Sequence, residues 1–221
     1  MVDDRVEQLV HIPAEAVTLE GLLVIPALAQ GMVLFAHGSG SSRHSPRHTH
    51  VAQILQRGGF GTLLLSLETP AEAGAYGPRF DIDRLAQRLV ATTGWLQAHP
   101  LVQDLPLGYF GAGTGAAAAL TAAAALGPVI RALVSRGGRP DLAGVAVARV
   151  QTPTLLLVGS LDTVVLAFNQ RAYARLPADK RLVIIPGATH LFEEPGALEE
   201  VAWRAGQWFA HYLWPQPVST A

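Results

Sequence analysis

The sequence predicts an α/β fold: one mostly parallel sheet with helices packed on both faces. Three observations lead there. Short runs such as 32–36 (MVLFA) are apolar throughout, as in strands that are covered on both sides. Other segments repeat apolar residues at the helical period, so that in 81–98 the residues Ile82, Leu85, Ala86, Leu89, Val90, Thr93 and Leu96 share one face. The two kinds alternate along the chain, the order in which helical crossovers join parallel strands.

In chain order, 6–12 and 16–25 read as two strands joined by a turn, an antiparallel edge. Residues 32–36 form a buried strand. Residues 44–57 form a helix, with Ser45 placed to cap it and Pro46 in its first position, where no N–H is needed. Residues 61–67 form another buried strand. The stretch 68–79, containing Thr69, Pro70, Gly74, Gly77 and Pro78, is irregular and follows a strand, where loops of such sheets carry function. After the 81–98 helix come a strand at 105–110, an alanine-rich helix at 115–126 that can lie close on the sheet, and strands at 129–135 and 154–158. A helix at 164–175, a strand at 181–185 and a helix at 195–213 complete the series. The last helix carries a stripe of Leu198, Val201, Ala202, Ala205, Trp208, Phe209 and Tyr212. The tail 215–221 is expected to fray. No linker or repeat divides 1–221, so one domain is expected, without a cap domain and with an open site.

The chain has 221 residues, half of them hydrophobic and 15% charged, enough for a large core. A net charge of −1 gives no long-range attraction to nucleic acid or to an anionic membrane, and neither is expected as a partner. With no cysteine there are no disulfides and no thiolate metal sites. The start, MVDDRVEQLV, is acidic and lacks an apolar leader, and the apolar run 116–126 is too short to span a bilayer. A cytoplasmic protein is the expectation.

The most informative segment is Gly111-Ala112-Gly113-Thr114-Gly115. It lies between the 105–110 strand and the alanine-rich helix, the setting of a nucleophile elbow. The middle residue of such an elbow bears the attacking atom, and Gly113 has none. Three other strand ends carry candidate chemistry: His37-Gly38-Ser39-Gly40-Ser41-Ser42, Gly159-Ser160-Leu161-Asp162 and Pro186-Gly187-Ala188-Thr189-His190. In open α/β sheets, active groups gather at such carboxyl ends. The chain order is oxyanion loop, nucleophile position, acid, histidine.

The chain resembles the α/β-hydrolases, in particular their dienelactone-hydrolase-like branch. The resemblance runs from Leu22 to Leu213 and is most specific in FAHGSGSSRHSPR (35–47), GYFGAGTGAAAA (108–119), SRGGRPDL (135–142), LLLVGSLDTVV (155–165) and PGATHLFEEPGALEEVA (186–202). It implies a hydrolase of small carboxylic esters or lactones that needs no cofactor. The triad would be position 113, Asp162 and His190. His190 would act as general base and Asp162 would orient and stabilise its imidazole. The backbone N–H groups of Thr114 and Ser39, or of Gly40, would bind the oxyanion. Arg43, Arg136, Gly40 and Phe192 are candidate substrate contacts.

Relatives carry Ser or Cys where this chain has Gly113, so the chain as written should be impaired or inactive. An engineered replacement and a natural binding protein both fit. Retention of Asp162 and His190 favours the first. Catalysis by a His190-activated water is a third reading. Nucleotide binding fits less well: GAGTGA lacks a P-loop lysine, and no acidic residue ends the 129–135 strand. Taken singly, Asp162 reads as a helix cap, His190 as a surface histidine and Arg136 as an ion-pair partner of Asp141. His37 is expected to orient its own loop. His44, His48 and His50 read as a solvated helix start, not as metal ligands.

Overall fold

A computed structural model describes residues 5–37, 44–73 and 81–214. Its strands lie where the apolar runs lie: β1 (Val6–Ala14), β2 (Val17–Ile25), β3 (Met32–Ala36), β4 (Gly61–Leu65), β5 (Leu107–Ala112), β6 (Ile130–Arg136), β7 (Thr154–Gly159) and β8 (Lys180–Ile185). Together they form one sheet of order β1-β2-β4-β3-β5-β6-β7-β8. β1 and β2 are antiparallel to each other, β2 is antiparallel to β4, and β4 through β8 run parallel. The expected antiparallel edge and parallel body are both present. The parallel strands β3, β4, β5 and β7 are buried at every residue.

The helices are α1 (Pro46–Arg57), the short α2 (Pro70–Ala73), α3 (Ile82–Ala98), α4 (Thr114–Leu126), α5 (Thr163–Arg175) and α6 (Ala197–Leu213). They divide the apolar interior in two. Leu85, Leu89 and Leu96 of α3 and the alanines of α4 cover one face. Val51 and Leu55 of α1, with Val201, Ala205 and Phe209 of α6, cover the other. Ala116 to Ala119 are fully buried, which only small side chains allow at that close helix–sheet distance. Asp81 caps α3 by accepting the Arg84 N–H at 3.1 Å. Ser45 precedes α1 but makes no side-chain cap, contrary to its expected role; Pro46 alone marks that start.

Two stretches outside the expected helices and strands contain structure. Residues 140–149 form a 3₁₀ segment kinked at Gly144. In 68–79, α2 brings Glu72 against two arginines of α3: Arg88 donates to both carboxylate oxygens at 2.7 and 2.9 Å, and Arg84 to one at 3.0 Å. Arg88 is almost wholly buried and also donates to the Leu67 carbonyl at 2.7 Å. The Arg88 bonds, aided by those from the Thr69 N–H and hydroxyl, hold the Glu72 carboxyl well below the usual carboxylate range, at about 2. Residues 74–80 and the tail 215–221 lie outside the described residues. No helix among the described residues is long and apolar enough to cross a membrane.

Candidate active site

The site is assembled at the carboxyl edge of the parallel strands, beginning with the turn between β5 and α4. Gly113 has φ 55° and ψ −126°, a backbone region that residues with a Cβ adopt only under strain. Gly127 and Gly144 share those angles, so the dihedrals alone do not mark an elbow. What distinguishes Gly113 is its place between a buried strand and a helix start, the setting in which an elbow is expected. The flanking glycines are set by close approach. A Cβ on Gly111 would stand 2.5 Å from Ala116 Cα, and one on Gly115 would stand 2.6 Å from the His37 carbonyl oxygen. Thr114, buried, opens α4, so its N–H belongs to the first turn of the helix.

Asp162 ends the turn after β7 and stands at the N-cap position of α5, yet its carboxylate does not cap the helix. It accepts instead from His190 Nδ1 at 2.6 Å. An ionised carboxylate only accepts, so Nδ1 carries the proton and Nε2 is left as the basic nitrogen. The geometry thus sets aside both single-residue readings, helix cap and plain surface histidine. The two loops that bear the pair are tied together: Leu161 N–H donates to Ala188 at 3.0 Å, and Gly187 N–H to Ser160 Oγ at 2.8 Å. Thr189 donates to Glu194 through its N–H at 3.1 Å and its hydroxyl at 2.6 Å, bonds that lower the Glu194 carboxyl. The His190 side chain is 50% exposed, so solvent and ligand reach it, whereas Asp162 is 13% exposed.

The turn after β6 joins the two halves. Arg139 N–H donates to the Gly113 carbonyl at 3.0 Å. A Cβ on Gly137 would stand 3.5 Å from His190 Nδ1. The buried Asn169 of α5 pins this turn, donating to the Gly138 carbonyl at 3.0 Å. Sequence reading did not find Asn169; a lone Asn on a helix face carries no local signal of a partner 31 residues away.

Below this edge, on the α1–α6 side, lie His37, His48, Arg136 and Phe192, all at most 7% exposed. His37 Nδ1 pairs with Nδ1 of His48 on α1 at 2.6 Å, and the loop His37 was expected to orient lies outside the described residues. His48 is buried, correcting its reading as part of a solvated helix start, while His50 faces Glu199 at 3.4 Å. Burial, and then the charge of Arg136, push His37 down to about 3. Burial, then His37 and the two arginines Arg136 and Arg47, push His48 well below its ordinary value. Both rings are therefore neutral at pH 7. Arg136 does not pair with Asp141, whose carboxylate is held by Arg139 at 2.9 and 2.8 Å. Phe192, fully buried at a positive φ of 56°, lies 5.8 Å below the Arg136 guanidinium, centroid to carbon. Ser39, Gly40 and Arg43 lie outside the described residues.

No family model matches the chain. The crystal structure of a dienelactone hydrolase from Anabaena variabilis matches with a TM-score of 0.92 and 54% identity, over 95% of this chain and 99% of that one. The chain belongs to the dienelactone-hydrolase-like branch of the α/β-hydrolases. Two further structures share the fold alone. Est1E from Butyrivibrio proteoclasticus has a TM-score of 0.77 at 16% identity, over 92% of this chain and 98% of that one. The Pyrococcus furiosus esterase Pf2001 has a TM-score of 0.78 at 19% identity, over 94% and 93%. Two curated Mycobacterium tuberculosis sequences named "Putative phosphoribosyl transferase" are 54% identical over 204 residues. The match takes in 92% of this chain but 46% of theirs, so the chain spans about half the length of the curated relatives it matches.

Proposed function

We propose that the chain is the framework of a hydrolase for small carboxylic esters or lactones, with Gly113 in the place of the nucleophile, and that it is therefore impaired or inactive as it stands. The observation that carries this is the 2.6 Å bond between His190 Nδ1 and Asp162, next to an elbow whose middle residue has no side chain. The lactone class is suggested by the Anabaena relative's name. The phosphoribosyl transferase name belongs to chains about twice as long, and the part matched here has a hydrolase fold, so that name does not guide the chemistry.

With Ser at 113, the steps follow from the chain's own groups. The hydroxyl oxygen attacks the acyl carbon while its proton passes to His190 Nε2, and Asp162 stabilises the resulting imidazolium. The oxyanion takes an N–H bond from Thr114; the resemblance implies a second donor at Ser39 or Gly40, which lie outside the described residues. Collapse breaks the bond to the alcohol oxygen, which leaves with the proton from Nε2. Water then attacks the acyl-enzyme, giving its proton to Nε2, and the acid departs as the serine hydroxyl is restored. Without the hydroxyl the first step has no attacking atom. Water activated by the half-exposed His190 is the remaining route, and it lacks the positioning of a covalent nucleophile.

The test compares the chain with Gly113→Ser and Gly113→Cys on small activated esters and on a fluorophosphonate. The Ser form should gain hydrolysis by several orders of magnitude, since losing a triad nucleophile costs on the order of 10⁶ in rate. It should also be labelled at residue 113. Silence of both variants, unlabelled, refutes the triad. A chain that hydrolyses esters with Gly113 in place and loses that activity in His190→Ala points to the activated water instead.

A further inference from the structure

β8 is an edge strand that the fold leaves open. It ends the sheet, and no strand lies beyond it among the described residues. The Thr154 and Ser160 amides donate to the Asp179 and Ile185 carbonyls at 2.9 and 3.0 Å, so the odd-numbered residues of β8 turn their backbone toward β7. A strand alternates with a period of two, and Lys180, Leu182 and Ile184 therefore direct N–H and C=O groups outward. Such edges are usually blunted by charge or proline. Here Lys180 and Arg181 guard only the start, and Leu182 to Ile185 is wholly apolar.

The edge is flanked by exposed aromatic groups on both sides. Toward α5, Ile184 is 42% exposed, and Lys180 Nζ lies 5.0 Å over the ring of Tyr173, itself exposed. Toward α6, a groove of about 580 Å³ is lined by Leu155 and Val183 from the sheet and by Trp203, Trp208 and Tyr212 from the helix. Trp203 is 52% exposed, a large aromatic surface left in water. Lys180, Arg181 and Arg204 line the same groove against one carboxylate, Asp179, which already accepts from the Tyr212 hydroxyl. Arg204 gives its Nε to Glu200 at 2.8 Å, whereas the Arg181 guanidinium has no hydrogen bond or ion pair among the described residues. This face is thus locally positive on a chain of net charge −1.

We propose that β8 and its groove form a docking site for an extended acidic peptide segment of another protein, which adds a strand to the sheet. Its backbone pairs with Leu182 and Ile184, alternate side chains enter the groove against Trp203 and Trp208, and its carboxylates meet Arg181 and Arg204. A second copy of β8 would bring further cations where they are already in excess, so self-pairing is disfavoured. The groove opens at Leu155, Lys180 and Arg181, at the amino ends of β7 and β8, whereas Asp162 and His190 follow their carboxyl ends. Peptide binding here is independent of the hydrolase activity proposed above.

Short random peptides displayed on phage are selected against the whole chain, and those enriched are synthesised with blocked ends. They should be rich in carboxylates, with apolar residues at alternate positions. Calorimetry gives their affinity, and hydrogen exchange read by NMR gives their place: the Leu182 and Ile184 amides should exchange freely in the free chain and be protected in the complex. Ile184→Pro removes one outward N–H, leaves the bonds to β7 and should abolish binding. Arg181→Glu should weaken binding at least tenfold, the effect of one lost charge-assisted hydrogen bond, and Trp203→Ala by a similar factor. These two change exposed side chains and decide the matter if Ile184→Pro does not fold. The docking site is refuted if no peptide is enriched, if those enriched lack acidic residues, if the two amides stay unprotected, or if affinity is unchanged in Arg181→Glu and Trp203→Ala. Amides already protected in the free chain, together with a dimer in sedimentation, assign the edge to a second copy and refute it equally.

Discussion

Putting a side chain on Gly113 should weaken the fold, and the structure contains its own standards for the size of that effect. At φ 55° and ψ −126°, a residue with a Cβ is strained by about 1–3 kcal/mol. Replacing glycine also narrows the unfolded ensemble, which recovers about 0.4–1 kcal/mol. Gly113→Ala should therefore lose about 1 kcal/mol, with an upper bound near 2.5 kcal/mol. In a chain of this size that is roughly 2–4 °C in Tm per kcal/mol. Gly113→Ser should fall between the parent and the alanine form, since its hydroxyl gains a bond to His190 Nε2 of about 1 kcal/mol. Gly127 and Gly144 share the Gly113 dihedrals within a few degrees, and a Cβ there would meet nothing within 4 Å. Gly127→Ala and Gly144→Ala thus report backbone strain alone. Paired urea unfolding of the five proteins is the assay. If the alanine standards lose stability and Gly113→Ala does not, residue 113 is unstrained and the turn is not an elbow. If the Ser form is more stable than the parent, the strain argument fails at its centre.

Other outcomes follow from the same contacts. In the Gly113→Ser background, His190→Ala and Asp162→Asn should each remove most of the gained activity, while in the parent they should leave any residual rate nearly unchanged, because triad members act as a unit; steady-state kinetics of the double variants decides. His37 is held neutral to about pH 3 by burial, while an unfolded histidine titrates near 6.5, so in acid the unfolded chain binds the extra proton. Stability should therefore fall as pH drops below 6.5, by up to about 1.4 kcal/mol per pH unit for each buried histidine, and His48→Phe should flatten that slope in urea titrations run from pH 7 to pH 5. Glu72, lowered to about 2 by Arg88, contributes above pH 4.5 and loses its contribution as pH falls from 4.5 toward 2. Glu72→Gln should cost about 3 kcal/mol at pH 7 by stranding the buried Arg88, and an unchanged denaturation midpoint would contradict that pairing. Gly115→Ala should destabilise by roughly 1–3 kcal/mol or block folding, since its Cβ would press on the Ala36 and His37 carbonyls.

What the sequence determined by itself was whatever local chemistry repeats along the chain. Buried parallel strands announce themselves by apolar runs such as Met32–Ala36, and α3 by its spacing from Ile82 to Leu96. The turn at Gly113 was legible because its three glycines fall within five residues between an apolar run and an alanine-rich helix, although the Ala36 and His37 carbonyls that Gly115 must clear come from far away in the chain, and the Asp162 and His190 loops because strand ends are where such sheets gather their polar groups. Their placement side by side depends on the loops after β7 and β8 being neighbours, which strand order in one parallel sheet already implies. Tertiary structure alone decided the partners. Arg136 and Arg139 both lie within reach of Asp141 along the chain; the fold gave the carboxylate to Arg139 and left Arg136 against Phe192, with no carboxylate partner among the described residues. His48 reads as solvated because its helix begins beside a polar loop, yet the packing of α1 against α6 and β4 turned it inward onto His37. Asn169 and the Glu72–Arg88 pair were hidden for the same reason. A polar side chain's fate is set by what the fold packs against it, and at separations of 11 to 31 residues no periodicity encodes that choice.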